Sequence, residues 1–221
     1  MDGFLFPAKC LNFMLNQMRE PMKKQILILL LAVCSLVAFR FPDGLAIGAK
    51  LPKADIKMKD ISGREFSLND VKKSNGLLVM FSCNTCPYVK RNQDRTREIC
   101  QFALKNNIGV ILVNSNEAER TGGDSYEAMQ SYGKGQHYSW PYVVDKDNQI
   151  ADAFAADRTP ECYLFNKDAT LVYKGAIDDN PGSAEGVQTK YLHNAIGAMV
   201  SGKAVPVTTT ASVGCGIKRK M

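Results

Sequence analysis

The chain of 221 residues is 45% hydrophobic and 23% charged, with a formal net charge of +6, the balance of an ordinary globular protein with one sizeable core and appendages. Part of the positive charge sits near the ends, in Lys23 and Lys24 and in Lys218, Arg219 and Lys220. No basic stripe interleaved with aromatics appears, which argues against a nucleic-acid partner.

Residues 1–46 read as an extension. Met22-Lys23-Lys24-Gln25 and the apolar run 26–39 have the shape of a basic n-region followed by an apolar h-region. The run is short for a membrane span. Residues 1–21 do not suit an n-region, because Asp2 and Glu20 are acidic and Phe4, Leu5 and Phe6 are apolar, so the expected start is Met22. The expectation is export to the cell envelope, periplasmic or membrane-anchored, with residues 26–39 as signal peptide or anchor. Gly44-Leu45-Ala46 fits a small-x-small cleavage site, whereas Leu31-Ala32-Val33-Cys34 resembles a lipoprotein box with a poor residue, Val33, before the cysteine. In that compartment cysteines can be oxidised, and a reactive pair needs a redox partner.

From Ile47 to Val71, two short runs of alternating apolar residues flank Ser62-Gly63 and predict a β-hairpin. Residues 77–81 read as a fully buried strand, followed by Cys83-Asn84-Thr85-Cys86 and then by a long amphipathic helix over 87–107. A CxxC at a strand-to-helix junction lies beside unpaired first-turn N–H groups, which stabilise a thiolate. Cysteines three apart can also cycle between dithiol and disulfide with little backbone movement. Pro87 is tolerated because a first-turn N–H has no intrahelical partner. The blander readings are a static disulfide and a zinc half-site. Zinc needs two more ligands, which neither a second CxxC nor the widely separated His137 and His193 supplies.

Beyond it, Ile108–Asn114 reads as a second buried strand, 126–132 as a helix, 142–145 as a short strand and 149–156 as a helix. That alternation implies parallel pairing with right-handed crossovers. The glycines between these elements do not match a phosphate-binding GxGxxG, and no cofactor or metal is expected. Arg158-Thr159-Pro160-Glu161 opens a hairpin over 162–177 that turns at Asn166-Lys167-Asp168, a position where a strand tolerates proline. Residues 189–201 close the domain as a helix with Leu192, Ile196, Met199 and Val200 inward. Cys100 and Cys162 read as core residues. Cys215, flanked by glycines in a tail expected to lie outside the core, reads either as a third redox thiol, resolving an intermediate or docking to another subunit, or as a bystander.

Gly48, Pro52, Asp60, Gly63, Ser67 and Leu68, followed by Cys83-Asn84-Thr85-Cys86-Pro87, resemble the redoxin branch of the thioredoxin superfamily, the AhpC/TSA or peroxiredoxin-like proteins. The likeness covers about 47–203. It implies an α/β thioredoxin-like fold, a central mixed β-sheet flanked by helices, with an N-terminal β-hairpin. Three regions follow: 1–46 as extension and signal peptide or anchor, 47–203 as the domain, and 204–221 as the tail. The resemblance also implies that Thr159-Pro160 carries a cis peptide bond, lies against the redox pair and presents backbone groups to a bound partner.

The leading functional expectation is an exported thiol–disulfide oxidoreductase acting on protein disulfides or dithiols with a separate electron-donor or acceptor partner. In it Cys83, the more exposed thiol, attacks; Cys86 resolves; and Glu161 takes the resolving proton. The alternative is a peroxidase that uses Cys86 on peroxide. The family pattern PxxxTxxC would end at Cys86, but Val79 stands where that pattern has proline and Cys83 where it has threonine. The family's arginine would fall near Pro160, leaving only Arg158 close by. A copper-delivery module is the reading from another class, although such modules typically use CxxxC with a distal histidine, for which His137 is a weak substitute.

Overall fold

The computed structural model describes residues 44–220. The expected start at Met22, the apolar run 26–39 and Cys34 lie outside the described residues. Among the described residues no helix is long and apolar enough to cross a membrane.

In chain order the elements are β1 (Met58–Lys59), β2 (Glu65–Phe66), α1 (Leu68–Val71), β3 (Gly76–Phe81), α2 (Pro87–Arg91), α3 (Gln93–Lys105) and β4 (Ile108–Asn114). They continue with α4 (Tyr126–Gly135), β5 (Tyr142–Val144), α5 (Gln149–Phe154), β6 (Arg158–Thr159), β7 (Glu161–Phe165), β8 (Leu171–Gly175), α6 (Tyr191–Val200) and β9 (Cys215–Gly216). Five strands form the central sheet in the order β5-β4-β3-β7-β8. β3 pairs parallel with β4 and antiparallel with β7, so the sheet is mixed, as the sequence predicts.

Strand periodicity divides the core between the two faces of this sheet. Leu78 and Met80 of β3 join Val110 and Leu112 of β4 under α3 and α6, where Ile99, Ala103, Leu192 and Ile196 are buried. The intervening Leu77, Val79 and Phe81 join Ile111 and Val113 on the other face, under α1 and α5. There Phe154 meets Phe81, Tyr163 and Phe165 edge-on, with ring centroids 5.1 to 5.8 Å apart. A strand buried on both faces needs an unbroken apolar run, which is why β3 and β4 show no alternation.

Local chemistry moved several boundaries. The hairpin over 47–71 contracts to two-residue strands, because Ser67 and Asp70 form a reciprocal capping box that starts α1 instead of extending β2. The long helix predicted over 87–107 is broken at Asn92, whose Nδ2 donates to the Tyr88 carbonyl at 2.8 Å and to the Pro181 carbonyl at 3.3 Å. β5 ends at Val144: Asp145 keeps a backbone bond to the Asn114 carbonyl, while its carboxylate accepts from the Ile150 and Ala151 amides at 2.9 Å, which fixes the start of α5. The predicted 162–177 hairpin forms, its turn held by Asn166 Oδ1 accepting from the Asp168 and Thr170 amides.

The largest difference is the tail. It packs on the domain: Lys174 of β8 donates its amide to the Thr208 carbonyl and accepts from the Thr210 amide, and β9 then pairs antiparallel with β6. Ile217 is buried in the core with Phe154 and Tyr163. The tail's glycines and basic residues disguise the few tail side chains that bury.

Phe154→Ala would empty the centre of the aromatic cluster, and urea denaturation is expected to show a loss of about 3–5 kcal/mol.

Candidate active site

β3 ends at the site, and Ser82 carries the chain on by donating its amide to the Val113 carbonyl at 2.9 Å. Cys83 follows, and Cys86 is the N-cap of α2 with extended φ/ψ of −67° and 124°, Pro87 opening the helix. Both cysteines are free thiols and buried, at 1% and 2% exposure. The expected surface-lying Cys83 is therefore not seen. Because the helix starts after Cys86, the Val89 amide of its first turn faces the Cys86 sulfur and lowers its pKa.

The Thr159-Pro160 peptide bond is cis, and Thr159 touches both thiols. Its hydroxyl lies 3.4 Å from Cys83 Sγ, and its carbonyl oxygen lies 3.2 Å from Cys86 Sγ, a bond that Cys86 donates in its thiol form. The turn expected from the sequence is thus in contact with the pair. Glu161 points its carboxylate elsewhere, accepting from the Asp157 amide and from the Ser212 hydroxyl. Burial pushes its pKa up.

Cys83 and Cys86 share a proton, and the hydrogen bonding favours Cys86 as the more acidic of the two. A hydrogen bond from the Cys83 thiol brings its pKa down to about 4 against the burial that opposes it, with Cys215 and the Val89 amide as further donors. Cys83, as the group holding the shared proton, is pushed far up, with burial and the negative charge of Asp124 adding to the effect.

Asp124 was not singled out by sequence. It is fully buried and holds the dipeptide between the cysteines: Oδ1 accepts from the Asn84 amide at 2.7 Å and Oδ2 from the Thr85 hydroxyl at 3.0 Å. Asn114 and Asn116 each donate to it at 2.9 Å. The Asn84 side chain bridges the Gly123 carbonyl and the Tyr142 hydroxyl. Gly123 must lack a side chain, since a Cβ there would lie 2.4 Å from the Thr85 methyl. The only signal in the sequence was an acidic residue after Gly122-Gly123 in a polar run, indistinguishable there from an ordinary loop.

Cys215 completes the cluster. Its residue pairs with Thr159 in the β6–β9 register, and its side chain packs on the group formed by Cys83, Cys86 and Val89. Burial and its hydrogen bond to Cys86 push its pKa up to about 11. Cys100 and Cys162 are core residues as expected, each fully buried. Arg158 donates to the Gly214 carbonyl at 3.4 Å and lies beside Asp157, so its guanidinium is turned to the tail. His193 stacks on Phe102, and His137 lines a cleft with Asp60 and Trp140. Among the described residues, no group of three or more His, Cys, Asp or Glu side chains could hold a metal ion.

Residues 47–174 match the model of the AhpC/TSA family. Two solved structures, an uncharacterized conserved protein from Geobacillus kaustophilus and a hypothetical protein from Sinorhizobium meliloti, are each 31% identical, with TM-scores of 0.74 and 0.72. They cover 79% and 80% of this chain, and 93% and 96% of their own chains are matched. The thiol-disulfide oxidoreductase ResA of Geobacillus thermodenitrificans is 23% identical over 160 residues, 72% of this chain and 87% of that protein.

Far-ultraviolet thiolate absorbance of the reduced protein should persist as the pH falls and disappear through a midpoint of about 4. A free cysteine would lose it near 8.5. Cys86→Ser should abolish this low-pH step, and Cys215→Ser should raise its midpoint.

Proposed function

We propose that the chain, which belongs to the AhpC/TSA family, is a thiol–disulfide oxidoreductase cycling Cys83 and Cys86 between dithiol and disulfide. The observation that carries this reading is the contact of both thiols with Thr159 beside a cis proline. The activity named for the ResA relative supports it. Its substrates are protein disulfides or dithiols, with a separate redox partner resetting the couple, in the cell envelope to which residues 26–39 direct or anchor the chain.

The Cys86 thiolate attacks one sulfur of the substrate disulfide, forming a mixed disulfide and expelling the other substrate sulfur as a thiolate. Cys83 then loses its proton to that departing group and attacks Cys86. The Cys83–Cys86 bond forms, the mixed disulfide breaks, and the second substrate sulfur leaves as a thiolate that takes a proton from solvent, so the substrate departs as a dithiol, reduced by the two electrons the pair has given up. Asp124 acts at a distance from the sulfurs by fixing the Asn84 amide and the Thr85 hydroxyl, so the loop between the cysteines is held while they change partners. This assigns attack to Cys86, the reverse of the order expected from exposure along a helix.

A low-pKa thiolate on Cys86 also suits peroxide attack, the second reading. With Arg158 turned to Gly214, the cation that would polarise a peroxide is engaged elsewhere. Copper delivery has less support, because His137 lines the Asp60 and Trp140 cleft.

Two experiments test the assignment. A Cys83→Ser, Cys215→Ser double variant should accumulate mixed disulfides with partner proteins, while Cys86→Ser should not; capture by Cys86→Ser alone would move attack to Cys83. Stopped-flow oxidation of the reduced protein by hydrogen peroxide should stay below the ~10⁴ M⁻¹s⁻¹ typical of efficient turnover. A much faster reaction would favour the peroxidase.

A further inference from the structure

We propose that Cys215 is a third redox-active thiol of this chain, taking over the Cys86 end of the Cys83–Cys86 disulfide to give a Cys86–Cys215 disulfide that fastens the tail across the site. This rests on the oxidoreductase reading above and adds a residue and a state to it.

Three independent features place Cys215 there. The backbone register sets it opposite Thr159, the residue that touches both Cys83 and Cys86. Its side chain packs on those two cysteines. The approach of the tail is built in: a Cβ on Gly214 would lie 2.1 Å from the Thr159 carbonyl oxygen, so the residue before Cys215 must be glycine for the strand to come this close. Beyond the site the tail is held again, the Ile217 amide donating to the Asp157 carbonyl at 2.8 Å and the Lys218 amide to Asn116 Oδ1 at 3.0 Å.

The step is an exchange with no net oxidation. Once a substrate disulfide has oxidised the pair, Cys215 gives its proton to solvent and its sulfur attacks Cys86. The Cys86–Cys215 bond forms, the Cys83–Cys86 bond breaks, and Cys83 leaves as a thiolate that takes up a proton. Its buried surroundings favour that thiol form. The timing is self-consistent: in the reduced state the neighbouring Cys86 thiolate helps keep Cys215 protonated, and oxidation of Cys86 removes that charge. The same strand position is open to an extended, cysteine-bearing polypeptide only when the tail leaves it, so Cys215 and a substrate compete for one edge.

The test is peptide mapping without reduction after oxidation of the full chain by glutathione disulfide. Trypsin leaves Cys83 and Cys86 in one peptide and Cys215 in another, so the tail bond appears as a cross-linked pair. The cross-link is expected in the wild type and in Cys83→Ser and should be lost in Cys86→Ser. Gly214→Val should lose it too while keeping the Cys83–Cys86 disulfide. A wild type that forms Cys83–Cys86 while Cys83→Ser leaves Cys215 free, or a cross-link found only between chains, would overturn the third thiol and leave the oxidoreductase standing. Absence of the Cys83–Cys86 disulfide in oxidised Cys215→Ser, where no exchange can consume it, would remove the oxidoreductase reading together with it.

Discussion

Thr159 is the constraint on which the site depends. Its hydroxyl meets Cys83, its carbonyl meets Cys86, and its backbone pairs with the residue that carries Cys215. One residue can serve three sulfurs because it stands at the end of β6, just before β7 enters the sheet against β3, whose C-terminal end delivers the cysteines. The pairing of β3 with β7 therefore sets the thiol geometry: Phe81 faces Glu161 in register, and everything beyond that pair converges on the same corner. A slip of one residue would turn every buried side chain of β7 to the opposite face.

Electrostatics at that corner work through burial. A carboxylate as deeply buried as Asp124 is stable only when its acceptor sites are filled, and four donors fill them. The same group raises the cost of a charge on Cys83, while amide and thiol donors lower that cost on Cys86. By contrast, exposed pairs such as Lys57 with Asp70 and Lys190 with Glu98 are worth about 1 kcal/mol or less. Arg95, bound to both oxygens of Asp178 and to the Asn180 carbonyl, is the better-buried pair, and it ties α3 to the loop before α6.

Sequence made the frame legible where a residue's local signal and its tertiary role agree. The apolar runs of β3 and β4, the Asn166 turn and the proline after Thr159 each carry a local rule that the fold then uses. It failed where the role depends on distant partners. Asp124 is forty residues from the amide it holds. Cys215 lies in a stretch of small and basic residues whose order comes from backbone bonds to Asp157 and Ala118, and backbone bonds leave no mark on side-chain pattern. Exposure of Cys83 was misjudged for the same reason: the strand that covers it is distant in sequence. The break at Asn92 is an intermediate case, since asparagine is a known competitor for helix backbone bonds but its acceptor at Pro181 was not foreseeable.

The path of the tail along β8 has a consequence for association between molecules. A strand at the border of a sheet offers unpaired amides and carbonyls to any other chain, and here the backbone of Thr208 and Thr210 satisfies Lys174 on that border. Gly175 lets it come close, since a Cβ there would lie 2.4 Å from the Thr210 carbonyl oxygen. The segment thus performs two duties in succession, guarding the sheet border up to Thr210 and covering the sulfurs from Gly214. Between them lie Ala211, Ser212 and the exposed Val213. If the tail bends in that short span, a partner can reach the cysteines while the sheet border stays closed to self-association.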